Sequence, residues 1–151
     1  MALNDDLSVL RDTPLFSELP VDALRLLAFG GDHRSLIKGD TLYRQGDAAN
    51  CAYVVSSGEV EILWTLGERE PVSQGFLGRG GLMGEIALIA PSERQFTIKA
   101  VETSELIRIN RDVFHRLMAE YPQIADKLKE RIQQNLGELA IKLNQLGGKF
   151  R

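Results

Sequence analysis

Residues 84–100, GEIALIAPSERQFTIKA, place a carboxylate directly after a glycine, follow it with a short apolar run, and set a lone Arg94 before an alternating stretch. Gly84 lets backbone approach a ligand closely. Glu85-Ile86-Ala87-Leu88-Ile89 is long enough for one helical turn, whose first N–H groups have no intrahelical acceptor and attract anions. Arg94 could close over such an anion with its planar fork of donors, while Glu85, an acceptor only when ionised, suits a hydroxyl on the same ligand. A phosphate beside a sugar hydroxyl meets both demands. The competing reading is a surface ion pair of Arg94 with Glu93 or Glu85, which would contribute little.

Other residues offer less chemistry. GFLGRGGLMG, residues 75–84, has glycine spacing that suggests a nucleotide loop, but Met83 stands where a dinucleotide fingerprint needs glycine, and no Gly-Lys-Ser/Thr follows. Arg79 within it reads as a solvated loop charge. Trp64 reads as core, Cys51 as inert packing, and His33 and His115 as ordinary strand-edge and helix residues. One cysteine and two histidines provide no metal-ligand spacing, so no metal is expected. Catalysis by Glu85 as a base would need a nucleophile, a metal set or a second acid that the sequence does not supply, so no enzyme is expected.

The elements that must position Glu85 and Arg94 follow from pattern. A helical signal in LSVLRD precedes a second one, with Ser17 as cap, Pro20 in the first turn and Leu24, Leu27 and Ala28 on one face, ending at Gly30-Gly31. Seven β-like runs punctuated by glycine occupy about 33–109: HRSLI, TLYRQ, AYVVSS, EVEILWTL, VSQGFL, FTIKAV and ELIRIN. They predict a sandwich or barrel with a rolled sheet. Asn110 caps a further helix to about Tyr121, and after the Pro122 break a long helix runs to Gly147-Gly148. Ala125, Leu128, Ile132, Leu136, Leu139, Leu143 and Leu146 form its apolar stripe, suited either to the chain's own β-region or to a homodimer contact.

At 151 residues and 44% hydrophobic the chain suits one globular domain. No apolar run reaches the ~18 residues of a membrane span, and the acidic start is unlike a secretory signal, so a cytoplasmic protein with no membrane partner is expected. A net charge of -3 gives no nucleic-acid footprint, although Lys127, Lys129, Arg131, Lys142, Lys149 and Arg151 outnumber Asp126, Glu130 and Glu138 near the C-terminus.

Gly84-Glu85-Ile86-Ala87-Leu88 with Arg94 nine positions after Glu85 resembles the phosphate-binding cassette of cyclic nucleotide-binding domains, the family of bacterial catabolite activator proteins and protein kinase A regulatory subunits. Lys38-Gly39-Asp40-Thr41-Leu42-Tyr43-Arg44-Gln45-Gly46-Asp47 is similar to the family's first hairpin, and Tyr53-Val54-Val55-Ser56-Ser57-Gly58-Glu59-Val60-Glu61-Ile62 to its central hairpin. The resemblance covers about residues 10–146. It implies an α+β fold in one domain, residues 1–151: an antiparallel β-roll (jelly-roll-like, a double-stranded β-helix) over 32–109, N-terminal helices over 1–31, C-terminal helices over 110–151, and the cassette at 84–96. It further implies a cyclic nucleotide ligand, cAMP or cGMP. Glu85 would accept from the ribose 2′-hydroxyl, Arg94 would pair with the cyclic phosphate, and the N–H groups of Gly84, Ile86 and Ala87 would complete the cradle. Gln95 and Phe96 depart from the two small residues usual after the arginine. On a strand their side chains would face opposite ways; Gln95 could replace a hydroxyl contact, and Phe96 would either wall the ligand or fill the core.

In the family the long C-terminal helix lids the base, which places lid contacts between Ile132 and Leu146, with Gln133, Gln134, Asn135 and Asn144 as polar candidates. The expected function is a regulatory module that binds cyclic nucleotide and signals through that helix to an unknown effector protein or a second copy. The helix-turn-helix of the family's transcription factors would lie beyond Arg151, so no direct DNA binding is expected. The alternative is a ligand-free structural or dimerisation module in which Phe96 fills the pocket and Glu85 pairs with Arg94.

Overall fold

The computed structural model describes residues 2–149, with side chains described for residues 5–135. Helix α1 (Ala2–Asp12) and helix α2 (Val21–Gly30) are joined by a chain of turns in which Thr13 Oγ1 donates to the Val9 carbonyl at 2.9 Å and Phe16 N–H to the Thr13 carbonyl at 2.9 Å. Ser17 does not cap α2 as its type suggested. Its hydroxyl donates back to the Pro14 carbonyl at 3.0 Å, and Pro20, with its φ of -60°, is the residue that leads into the helix.

Ten strands are described where the periodicity predicted seven: β1 (Asp32–Leu36), β2 (Thr41–Tyr43), β3 (Ala48–Ala49), β4 (Cys51–Ser57), β5 (Val60–Trp64), β6 (Val72–Leu77), β7 (Leu82–Met83), β8 (Ser92–Glu93), β9 (Thr97–Ala100) and β10 (Ser104–Asn110). The three additions, β3, β7 and β8, have two residues each, too short for alternation to register. One sheet runs β1-β10-β4-β7, a second β2-β9-β5-β6, and β3 pairs with β8. Every described pairing is antiparallel, giving an α+β antiparallel β-roll with helices before and after it.

Strand β4 explains why two cores form. Ala52 and Val54 point to a core built with α1, α2, α3 and α4, whereas Cys51, Tyr53 and Val55 point into the roll against Leu42, Val60, Ile98 and Leu106. Strand β10 divides in the same way, Ile107 and Ile109 toward the helices and Leu106 toward the roll.

Helix α3 (Arg111–Glu120) starts after Asn110, whose side chain makes no cap hydrogen bond although the residue occupies the capping position. Tyr121 breaks the helical path and α4 (Pro122–Lys149) begins at the proline. Helix α4 continues through Gly147 and Gly148 rather than stopping there. Ala125, Leu128 and Ile132 are buried, so the described part of the apolar stripe packs on the chain's own core. The side chains of Leu136, Leu139, Leu143 and Leu146, and with them the homodimer expectation, lie outside the described residues, as does that of Asn144.

Candidate ligand-binding site

Arg94 is the centre of the site. Its backbone is fixed by the Gly46-Asp47 turn, because Arg94 N–H donates to the Asp47 carbonyl at 2.7 Å and Gly46 N–H to the Arg94 carbonyl at 2.8 Å. Gly39-Asp40 treats Ala100 in the same way, with hydrogen bonds of 2.8 and 2.9 Å. In both turns the aspartate side chain also accepts from the backbone three residues earlier, Asp40 from Ile37 and Asp47 from Arg44. The sequence carried this signal as a Gly-Asp pair repeated seven residues apart; its use as a clamp on the opposite strand was not legible from it.

The Arg94 side chain is only 7% exposed. Nη1 donates to the Cys51 carbonyl at 2.8 Å, Nη2 lies 3.3 Å from Cys51 Sγ, and the guanidinium carbon sits 4.1 Å from the Tyr43 ring centre and 5.8 Å from that of Tyr53. No carboxylate among the described residues pairs with it, so the expected alternative of an ion pair with Glu93 or Glu85 is not what forms. Two aromatic faces supply part of the compensation, each about 0.5–2 kcal/mol, but a buried cation without a counter-charge remains costly. Cys51 is therefore more than packing: its carbonyl and its sulfur orient the guanidinium. Burial holds the Tyr43 hydroxyl neutral well above its ordinary pKa, so the aromatic face toward Arg94 does not become an anion.

Gly84 adopts φ 77°, a left-handed conformation, and a Cβ there would collide with Nη1 of Arg94. Glycine is thus required twice, by conformation and by close approach. The 3-10 turn Glu85–Leu88 follows it. The Ala87 N–H, expected to face a ligand, is instead donated to the Gly84 carbonyl at 3.1 Å within the turn. Arg111, at the start of α3, holds the turn from behind: Nε donates to the Ala87 carbonyl at 2.7 Å, and Nη2 to Ala49 at 3.0 Å and Ala90 at 3.2 Å. This positioning residue was missed, since an arginine opening a helix has no distinctive spacing.

Glu85 and Arg94 border one cavity of about 310 Å3. Gln95 and Phe96 both line it, contrary to the expectation of opposite faces, because residues 95–96 form a bend between β8 and β9 rather than a strand. Phe96 also packs on the roll core beside Tyr43, Ile62 and Leu77, so it forms a wall and leaves the cavity open. Gly84 and Ile86 also line the cavity, whereas Ala87, the remaining member of the expected set, is buried and does not reach it. Ser92, not singled out from the sequence, lines it too, and its hydroxyl oxygen is buried with no hydrogen-bond partner among the described residues. From α4, Ile132 and Asn135 reach the cavity, while Gln133 and Gln134 are exposed and do not line it. Burial raises the Glu85 carboxyl above its ordinary 4.5, with its own backbone N–H and the nearby Asn135 side chain acting in the opposite direction.

The remaining candidates fall away from the site. Arg79 donates to Ser8 Oγ at 3.0 Å and lies 3.5 Å from Asp12, tying the loop before β7 to α1. His33 lies 2.8 Å from the buried Asp6 carboxylate, and Trp64 is buried. No group of three or more metal-ligating side chains occurs among the described residues. No helix among them is long and apolar enough to cross a membrane.

The family model for the cyclic nucleotide-binding domain matches residues 33–121. The chain is 30% identical over 138 residues to the cyclic AMP receptor protein of Thermus thermophilus, covering 91% of this chain and 63% of the receptor. It is 30% identical over 128 residues to human patatin-like phospholipase domain-containing protein 6, covering 84% of this chain and 9% of that protein. The chain thus spans less than two thirds of the length of either relative. Among solved structures, a cyclic nucleotide-binding-like protein from Brucella abortus superposes with a TM-score of 0.68 at 36% identity, covering 76% of this chain and 98% of that one. The chain belongs to the cyclic nucleotide-binding domain family.

Proposed function

We propose that the cavity binds a cyclic mononucleotide, with cAMP the first to test because the Thermus thermophilus relative is named a cyclic AMP receptor protein. Arg94 pairs with the cyclic phosphate, the amides of Gly84 and Ile86 and the hydroxyl of Ser92 add donors, and Glu85 accepts from the ribose 2′-hydroxyl. Gln95 and Phe96 form the wall beside them, and Ile132 and Asn135 of α4 close over the rest of the ligand. The chain acts by binding rather than by catalysis, and the position of α4 reports occupancy to an effector protein or a second copy. The carrying observation is the buried Arg94 guanidinium, oriented by Cys51 and Tyr43 yet paired with no carboxylate among the described residues. An anionic ligand supplies the missing counter-charge.

Calorimetric titration of cAMP and cGMP into wild-type protein and Arg94→Ala tests this. Hydrogen bonds to charged groups contribute about 1.5–3 kcal/mol, so Arg94→Ala should weaken binding roughly tenfold to a hundredfold. No heat of binding with either nucleotide, or equal affinity of the variant, overturns the reading.

A further inference from the structure

In the sheet β2-β9-β5-β6, Lys99 stands opposite Thr41 and Glu61, and Thr97 opposite Leu63, on the face turned away from the roll core to which Val60 and Ile98 belong. Continued by two residues, that register would set residue 95 against Thr65. The chain bends at 95–96 instead, so β9 begins at Thr97 and a gap is left between the ends of β2 and β5. Gln45 bridges the gap. Its amide nitrogen donates to the Thr65 carbonyl and its amide oxygen accepts from the Thr65 N–H, both at 2.8 Å, while its own backbone N–H donates to Thr97 Oγ1 at 3.0 Å.

Beside this bridge a groove of about 490 Å3 opens over Leu63 and Pro71, flanked by the exposed Arg44 and Lys99. No carboxylate lines it, and neither cation has an ion pair among the described residues. Asp47 accepts from the Arg44 backbone N–H at 3.0 Å, and Glu61, although opposite Lys99 in the pairing, does not reach the groove. The Thr97 hydroxyl, an acceptor toward Gln45, still has its own hydrogen to donate.

We propose that this groove is a second ligand site, distinct from the inner cavity, and that it takes a small organic phosphate. Arg44 and Lys99 hold the phosphate, the Thr97 hydroxyl donates to it, and Leu63 and Pro71 carry the apolar body of the ligand. Like charges on one concave surface repel each other and concentrate anions from solution, and an anion between them turns the repulsion into attraction. A phosphate monoester, with a charge of about -1.5 to -2 at neutral pH, matches two cations better than a carboxylate does. The planar fork of Arg44 suits two of its oxygens and the ammonium of Lys99 a third. The walls are held before any ligand arrives: Gln45 ties β2 to β5, and the Gly46-Asp47 turn that clamps Arg94 on the inner side also fixes the Arg44 backbone. This site stands whether or not the inner cavity takes a cyclic nucleotide.

The test titrates phenyl phosphate, and separately benzoate, into isotope-labelled protein while the amide signals are followed by NMR. Phenyl phosphate should shift the amides of Gln45, Thr65, Thr97 and Lys99 in a saturable way. Both cations are exposed, so Arg44→Gln/Lys99→Gln should keep the fold, with its melting temperature as the control, and should bind phenyl phosphate at least about tenfold more weakly. Arg94→Ala, which alters the inner cavity, should leave that affinity unchanged. Shifts confined to residues of the inner cavity, shifts that never saturate, benzoate binding as tightly as phenyl phosphate, or full affinity in the double variant would each overturn the proposal.

Discussion

At the scale of single residues, the site sets two charges in opposed conditions. Arg94 is buried as a cation among neutral groups, and Glu85 is pushed by burial toward its neutral form. The second condition gives a stability prediction with a definite sign. Because the folded-state pKa of Glu85 lies above its ordinary 4.5, the folded protein retains a proton there that the unfolded chain releases first. Stability is fully present below 4.5 and falls as pH rises through the folded value. Glu85→Gln, which cannot ionise, should therefore raise the melting temperature relative to wild type at neutral pH and leave it unchanged in acid, measured by calorimetric scans, while weakening cAMP binding. A lower melting temperature at neutral pH would mean that the carboxylate charge is favourable in the fold. Glu85 and Arg94 stood out in the sequence as a carboxylate after a glycine and an arginine nine positions later, but the spacing alone left a surface ion pair open, and the resemblance to the family's cassette is what favoured a ligand site. Cys51 was not: its contact with Arg94 spans 43 residues, and a lone thiol carries no spacing to read.

At the scale of elements, the 3-10 turn Glu85–Leu88 is too short to hold its own position and is fixed from outside by Gly84, Arg111 and the packing of α4. Arg111 alone serves three carbonyls, two in the segment after Glu85 and one on β3. Arg111→Met keeps the apolar stem and removes the donors. It should cost about 1–3 kcal/mol in denaturant unfolding, from carbonyls left without partners, and weaken cAMP binding severalfold because the turn loses its support. Unchanged affinity with reduced stability would confine Arg111 to the fold. The helices and the longer strands were readable from periodicity and from Gly and Pro punctuation. Strands β3, β7 and β8 were not, because a two-residue strand exists only through its partner, as Ala48–Ala49 does through Ser92–Glu93. The same limit explains Gln95 and Phe96: an alternating stretch reads as strand up to its first residue, whereas the chain bends at 95–96, directly after the Gly46-Asp47 clamp on Arg94, and both side chains line the cavity.

At the scale of the whole molecule, the roll and the helical layer share walls, and the site lies where they meet. The family resemblance carried the general architecture from the sequence, whereas the division of the interior into two cores needed the pairing of β4 with β10 and β7. Residues 51–55 of β4 are all buried, alternating between the two cores, with a neighbouring strand on either side. Neither layer can come apart while the other keeps its side of that strand covered, which makes β4 the last place for solvent to enter. Native-state hydrogen exchange followed by mass spectrometry should find the amide protons of residues 52–55 among the slowest to be replaced by deuterium, opening only with loss of the entire fold, while those of the edge strands β1 and β6 trade within local fluctuations.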